Sequence, residues 1–444
     1  MQTRTNGPDV LEPIDPPGRR GYRWAVVGML WFLCFFNYAD RQAIFSIFPV
    51  LKANYHFSKT DLGLIGAAFM WVYAFAAPFA GHVGDRYPRK WVILGGLYVW
   101  SLVTGLTALC TRVSHFVLVR GAEGMGETFY MPASMALISD YHGPSTRSTA
   151  IGWHQSSIYA GTVAGSALAG WMALKFGWWT PFWVLALAGM ALGVIVQLFL
   201  REPRRNHAER LERTEAPAPP AQVSVGTFLA EFVRTPTAIL LIVAFFGANM
   251  VGFVFLTWMP TFLTEKWGLN LAQAGFGGTV FIQIFSMVGV VLGGIIADWW
   301  RRVRTEGRIL VQAIGALAGV PFVFLCGYTR SPALLVVAMS LFGLSKGFYD
   351  SNLTPAFYDV ITPSRRSTAT GLMNFVGFVG AGLGSVAVGA AVDKLKITMS
   401  MAIASTAVVY FLVACVLFLT AALFARRDIA AARLRSSMQG SYCA

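Results

Sequence analysis

The chain has 444 residues, 56% of them hydrophobic and 13% charged. A soluble domain carries about 25% charged residues, so a soluble globular protein is excluded. The net charge of +14 does not point to nucleic acid, because about 24 of the Lys and Arg fall in one alternating set of loops and tails and about 8 in the other, the positive-inside pattern of a polytopic membrane protein.

That asymmetry predicts both termini in the cytoplasm and attraction to anionic lipid. No cleavable signal peptide is expected, since residues 1–21 are polar and Pro-rich. Apolar runs of about 20 residues, each able to cross a ~30 Å hydrocarbon core, recur along the whole length. Read in order, they predict spans at 24–50, 60–80, 91–110, 114–141, 148–173 and 181–200, then at 236–262, 271–298, 308–328, 331–358, 366–392 and 398–424. Ser58-Lys59-Thr60-Asp61 has the form of a capping box opening the second span. The predicted organisation is a cytoplasmic tail (1–23), an N-terminal six-helix bundle (24–200), a charged, then Ala/Pro-rich linker (201–235) with room for a short surface helix at 225–232, a C-terminal six-helix bundle (236–424) and a cytoplasmic tail (425–444). The fold class is all-α, with 12 transmembrane helices. Five cysteines, mostly inside apolar spans, have no metal spacing and read as small core residues.

The halves repeat. Phe129-Tyr130, Asp140, Pro144-Ser145, Arg147-Ser148-Thr149-Ala150 and Gly152 return, all at one constant offset, as Phe348-Tyr349, Asp359, Pro363-Ser364, Arg366-Ser367-Thr368-Ala369 and Gly371. Gly81-x-x-x-Asp85 is echoed by Gly294-x-x-x-Asp298. Two homologous bundles are a transporter design, with the site between them near mid-membrane.

Charges inside spans are costly, about 2.5–3.5 kcal/mol each on insertion scales, and mark a transport path by default. Asp40 and Arg41 lie in the first span; Arg120, Glu123 and Glu127 lie in the fourth, spaced to share roughly one helix face. Glu123 and Glu127 repel if both are ionised, unless Arg120 or Arg41 neutralises one. A carboxylate that takes up a proton beside an arginine that binds either it or a substrate anion is minimal machinery for proton-coupled uptake. On this reading protonated Glu127 frees Arg120, and Asp40 faces into its own bundle while Arg41 faces the central cavity. The alternative is a static salt bridge that locks helix packing; Glu123 reads equally well as a bystander.

Gly81-His82-Val83-Gly84-Asp85-Arg86-Tyr87-Pro88-Arg89-Lys90 resembles the loop between helices 2 and 3 of the major facilitator superfamily, with Pro88 where that family has Gly. The resemblance extends from Tyr22 to Arg427 and implies alternating access by rocking of the two bundles. It makes Gly81, Asp85, Arg86, Arg89, Lys90 and Asp298 candidates for conformational gating. Asn37-Tyr38-Ala39-Asp40-Arg41, with Arg120, Glu127 and Asn374, resembles the anion:cation symporter family of sugar-acid and organic-anion carriers. That resemblance implies that Asp40 and Glu127 carry protons while Arg41 and Arg120 hold or gate the anion. Asp40-Arg41, the loop 2–3 sequence, Trp100-Ser101-Leu102-Val103-Thr104 and Arg201-Glu202-Pro203 are also similar to spinster-type carriers of lysolipids.

The remaining candidates are polar groups within spans. Tyr38 offers a hydroxyl two residues before Asp40. Lys346 takes the repeat position of Glu127 and either neutralises Asp350 or offers a second positive charge to an acidic substrate. His154 and Gln155 line the cavity or pack; Tyr130, Asn249, Gln283 and Asn374 are further candidates, the last three as readers of a polyol. No P-loop, His-Glu-x-x-His, paired-cysteine metal site or Gly-x-Ser-x-Gly elbow occurs. A secondary transporter is therefore expected, not an enzyme. It needs no cofactor or metal beyond the proton gradient, acts on a small organic anion, and sits in lipid as a monomer in a bacterial inner membrane.

Overall fold

The computed structural model describes residues 21–143, 145–203, 208, 231–362 and 365–441, all helix and connecting turn with no strand among them. The elements are α1 (Tyr22–Ser46), α2 (Phe48–Tyr55), α3 (Lys59–Arg86), α4 (Arg89–Thr107), α5 (Val113–Thr128), α6 (Tyr130–Tyr141), α7 (Arg147–Phe176) and α8 (Thr180–Phe199). After the linker come α9 (Pro236–Trp267), α10 (Leu271–Arg301), α11 (Gly307–Tyr328), α12 (Pro332–Tyr358), α13 (Arg366–Lys394), α14 (Met399–Leu423) and α15 (Ala425–Ser441). Most of the linker, including the surface helix expected at 225–232 up to residue 230, lies outside the described residues.

Nine of the described helices are long and apolar enough to cross a membrane. The other expected spans are α1, the α5–α6 pair and α7, and their chemistry explains why they stand apart. Asp40 and Arg41 interrupt the apolar run of α1, α7 is rich in Gly, Ser and Thr, and the fourth span is broken. The break falls at Phe129. Pro132 has no N–H to give the carbonyl of Thr128 four residues back, and its ring crowds that carbonyl. Pro49 does the same to the first span, which ends at Ser46 and restarts as α2 instead of running unbroken to residue 50. The capping box at Ser58 is present, with the Ser58 hydroxyl accepting from the Asp61 amide and the Asp61 carboxylate accepting in return. The last segment is a helix, α15, where the sequence suggested only a tail. Asp428 accepts from the Thr237 amide at the start of α9 (3.0 Å), and Glu306 accepts twice from Arg426 (2.7 and 2.9 Å).

The sequence repeat is carried into the ion pairs. Arg89 pairs with Asp140 in the first half. At the offset of the repeat the same two positions are Arg308 and Asp359, 3.1 Å apart in the second half. Each pair ties the start of the third helix of its half to the end of the fourth. The charges at Arg120, Glu123 and Glu127 are not repeated in kind. At the positions of Arg120, Glu123 and Glu127 the second half carries Met339, Phe342 and Lys346.

The halves meet along two seams, α3 against α13 and α7 against α10. Small residues permit the contact: a Cβ on Gly63 would lie 2.5 Å from the Ser385 carbonyl oxygen. Polar ties gather at the end of the bundle opposite the chain termini. There Glu265 accepts from Lys59 and Lys52 (2.6 and 2.9 Å), and Asp393 accepts from both the amide and the hydroxyl of Thr60 (2.6 and 2.7 Å). Deeper in, the Gln42 side chain donates to the Leu256 carbonyl (2.9 Å). Pro260 leaves that carbonyl without its helical partner, and α1 of the other half supplies one.

Candidate functional site: a buried charge cluster in the first half

All five intramembrane charges of the first half are buried, Arg120 and Glu127 to 1% exposure. Ionised groups persist at that depth only when paired and hydrogen-bonded. The pairing differs from the one that helical spacing suggested. Arg41 donates to Glu127 Oε2 through Nη2 (2.8 Å) and Nε (3.2 Å). Arg120 turns to Glu123 one turn along its own helix, at 2.6 Å, and its Nη2 reaches the Arg41 carbonyl at 3.4 Å. Glu123 is therefore the partner of Arg120, and Glu127 belongs to Arg41.

Packing sets this geometry. A Cβ on Gly124 would lie 2.6 Å from the Phe69 carbonyl oxygen, so glycine lets α3 close against α5. The Phe69 ring then lies 4.6 Å from the Arg41 guanidinium and 4.7 Å from that of Arg120. Tyr38 and Tyr73 add aromatic faces to Arg41 at 4.5 and 5.2 Å. Such contacts are worth about 2 kcal/mol or more when desolvated, and arginine, with its delocalised charge, makes them best. Tyr73 also touches Phe378 of α13 (4.7 Å), which brings the Arg41 environment to the seam between the halves.

Asp40 faces into its own bundle. Its Oδ2 accepts from the Thr104 hydroxyl at 2.5 Å. One oxygen of each carboxylate, Asp40 Oδ1, Glu123 Oε1 and Glu127 Oε1, is buried with no hydrogen-bonding partner in the protein. Thr104, Tyr73 and Asn37, whose amide oxygen lies 3.5 Å from Arg41, complete the cluster. None was singled out from sequence as an individual site residue. A lone Thr or Tyr in a span carries no signal of its own, although Asn37 and Thr104 sit in motifs the chain shares with known carriers.

The other candidates disperse. His154 is fully buried, its Nε2 2.8 Å from the Tyr130 hydroxyl, which donates to the Leu30 carbonyl. Both pack α1, α6 and α7 together rather than lining a cavity. Gln155 is exposed, and Gln283 lies in a groove between α7 and α10. Asn374 is half-buried on α13. Lys346 and Asp350 pair on α12, with Asn249 and Tyr349 lining the same small pocket. Among the gating candidates, Arg89 pairs with Asp140, Lys90 donates to the Gln197 carbonyl (2.7 Å), and Arg86 is exposed. Asp298 accepts from Arg308 (3.0 Å). The side chains at Gly81 and Asp85 lie outside the described residues.

The profile of the Major Facilitator Superfamily matches residues 30–385. A probable galactarate/D-glucarate transporter of Bacillus subtilis is 27% identical over 76% of this chain and 78% of its own. The spinster homolog 1 protein of Xenopus laevis is 27% identical over 93% of this chain and 82% of its own. The crystal structure of a bacterial homolog of the human lysosomal transporter Spinster, inward-facing and occupied, superposes with a TM-score of 0.78 at 19% identity, covering 93% of this chain and 99% of that one.

Proposed function

Because the chain belongs to the major facilitator superfamily, a group of multi-pass membrane transporters, we propose that it is a proton-coupled symporter of an organic anion such as a sugar acid. One observation carries this reading: Arg41 is held by a single carboxylate, Glu127, which has a second oxygen free of protein partners. A proton arriving at Glu127 neutralises it and breaks its claim on Arg41. Arg41 then takes the carboxylate of the substrate, steadied by the Tyr38 and Tyr73 rings. When the proton leaves on the other side, Glu127 recaptures Arg41 and the anion departs. Asp40, held by Thr104, is the second carboxylate that takes up and gives off a proton. Arg120, occupied by Glu123, positions this site rather than binding the anion. No cofactor is required; the proton gradient supplies the energy. The positive-inside pattern supports cytoplasmic termini in a bacterial inner membrane, and in that orientation the polar ties at Glu265 and Asp393 close the outer end. The name of one relative, a probable galactarate/D-glucarate transporter, supports the anion.

A second reading has its own support. A groove of about 650 Å³ opens sideways between α1, α7 and α10, lined by Trp31, Val163, Phe276, Ile284 and Met287 with Gln283 among them. Such a wall suits the acyl chain of a lysolipid or other amphiphile. A thermal-shift screen separates the two, because only a ligand that binds the folded state raises its stability. Sugar acids are expected to raise the melting temperature and lysophosphatidylcholine to leave it unchanged; the reverse result would replace the sugar-acid reading with the amphiphile one.

A further inference from the structure

The second half holds a polar pocket that the charge cluster does not use. It lies between α9, α12 and α14, is lined by Phe245, Ala248, Asn249, Phe342, Lys346, Tyr349, Asp350 and Tyr410, and encloses about 20 Å³. Lys346 and Asp350 pair on its wall with side chains 28% and 30% exposed, while Tyr349 and Tyr410 are 2% and 1% exposed. The hydroxyls of both tyrosines are buried with no hydrogen-bonding partner in the protein. The reason is visible in the packing: Phe342 meets the Tyr410 ring edge-on at 5.6 Å and Phe255 at 4.6 Å, so the neighbours on that side are hydrocarbon. A buried hydroxyl left unsatisfied costs about 1–3 kcal/mol, and two in one pocket are a standing demand for a polar guest. The volume admits a water-sized group and nothing much larger.

Resting on the symporter reading above, we propose that this pocket is a hydroxyl-binding subsite, in which Tyr349 and Tyr410 receive one hydroxyl or hydroxymethyl end of a polyhydroxylated anion beside Lys346. On this proposal the carboxylate of the substrate goes to Arg41 of the first half and a hydroxyl of the same molecule to the tyrosines of the second. Asn249 contributes an amide at the same wall. A fatty acid of equal length meets the same charge but leaves both hydroxyls unsatisfied, which is how a polar site rejects an analogue that lacks the polar group.

Calorimetric binding of D-gluconate and of hexanoate, a six-carbon carboxylate without hydroxyls, to the full chain in detergent tests the subsite. Tyr410→Phe and Tyr349→Phe remove one hydroxyl each and leave the ring in place. Each is expected to weaken gluconate binding about three- to tenfold, the value of one neutral hydrogen bond, with hexanoate binding as in the wild type. If the wild type binds gluconate and both variants bind it equally well, as they would if the pocket held only water, the subsite falls and the symporter reading stands. Equal losses for gluconate and hexanoate also overturn it, since they make the tyrosines packing residues. A wild type that binds no gluconate at all overturns both proposals.

Discussion

Arg41 on α1 and Glu127 on α5 are joined by two hydrogen bonds to a single oxygen, at 2.8 and 3.2 Å, with both residues buried. The bond joins two helices of the same half. It can therefore be made and broken without separating the bundles, which suits a switch inside a moving transporter.

Removing one partner from such a pair leaves an uncompensated buried charge. Arg41→Gln is expected to destabilise the protein by about 3–5 kcal/mol, whereas Arg41→Gln combined with Glu127→Gln recovers most of that loss. Thermal unfolding of the two single variants and the double in detergent reads the coupling. Additive losses would mean that the two side chains do not depend on each other.

Glu123 gives a contrasting expectation. It pairs with Arg120 at 2.6 Å and does not touch Arg41. Glu123→Gln is expected to lower the melting temperature by several degrees while proton-driven accumulation of substrate survives in reconstituted vesicles. Loss of accumulation in a folded variant would move the proton role to Glu123.

Much of this arrangement is legible in the sequence. Apolar runs long enough to cross a bilayer mark the spans, and the constant offset between Arg147-Ser148-Thr149-Ala150 and Arg366-Ser367-Thr368-Ala369 marks the two halves, whereas the breaks beside Pro49 and Pro132 depart from the unbroken first and fourth spans expected. The pairing inside the cluster is not legible. Helical spacing puts Arg120 and Glu127 on one face, but choosing between Glu123 and Glu127 depends on how α1 is rotated against α5. That rotation is set by the close approach at Gly124 and by Phe69 wedged between two guanidinium groups, contacts between residues distant in the chain. His154 misleads for a related reason: a polar residue in a span of small residues reads as cavity lining until Tyr130 appears 2.8 Å away.

Asp393 holds the end opposite the chain termini by accepting two hydrogen bonds at the first turn of α3. Asp393→Ala removes an acceptor at a helix N-terminus, worth about 0.5–2 kcal/mol, and the loss is paid only in the state closed at that end. Spin-label distances between α3 and α13 are expected to shift toward the open arrangement by roughly two- to thirtyfold in population. An unchanged distance distribution would show that Lys59 and Glu265 suffice.

At the other end, α15 is fastened to the second half by Arg426, whose two hydrogen bonds to Glu306 hold that carboxyl below its ordinary value of 4.5. A carboxyl lowered in the folded state stabilises the contact at every pH above the ordinary value, and that contribution is lost as pH falls through the lowered one. Hydrogen exchange at 425–435, corrected for its intrinsic pH dependence, should stay slow from pH 8 to 5 and rise only once the pH has fallen below the ordinary carboxyl value of 4.5. Glu306→Gln should shrink that rise; an identical rise in the variant would assign it to Glu231 or Asp428, the other carboxylates that hold the helix.

The most direct measurement is uptake of a labelled sugar acid into proteoliposomes carrying Glu127→Gln, with and without an imposed proton gradient. The amide cannot take up a proton and binds Arg41 more weakly than the carboxylate does. The variant is therefore expected to exchange substrate across the membrane and to show no accumulation driven by the gradient. Accumulation at the wild-type level under the same gradient would contradict the claim that a proton on Glu127 releases Arg41.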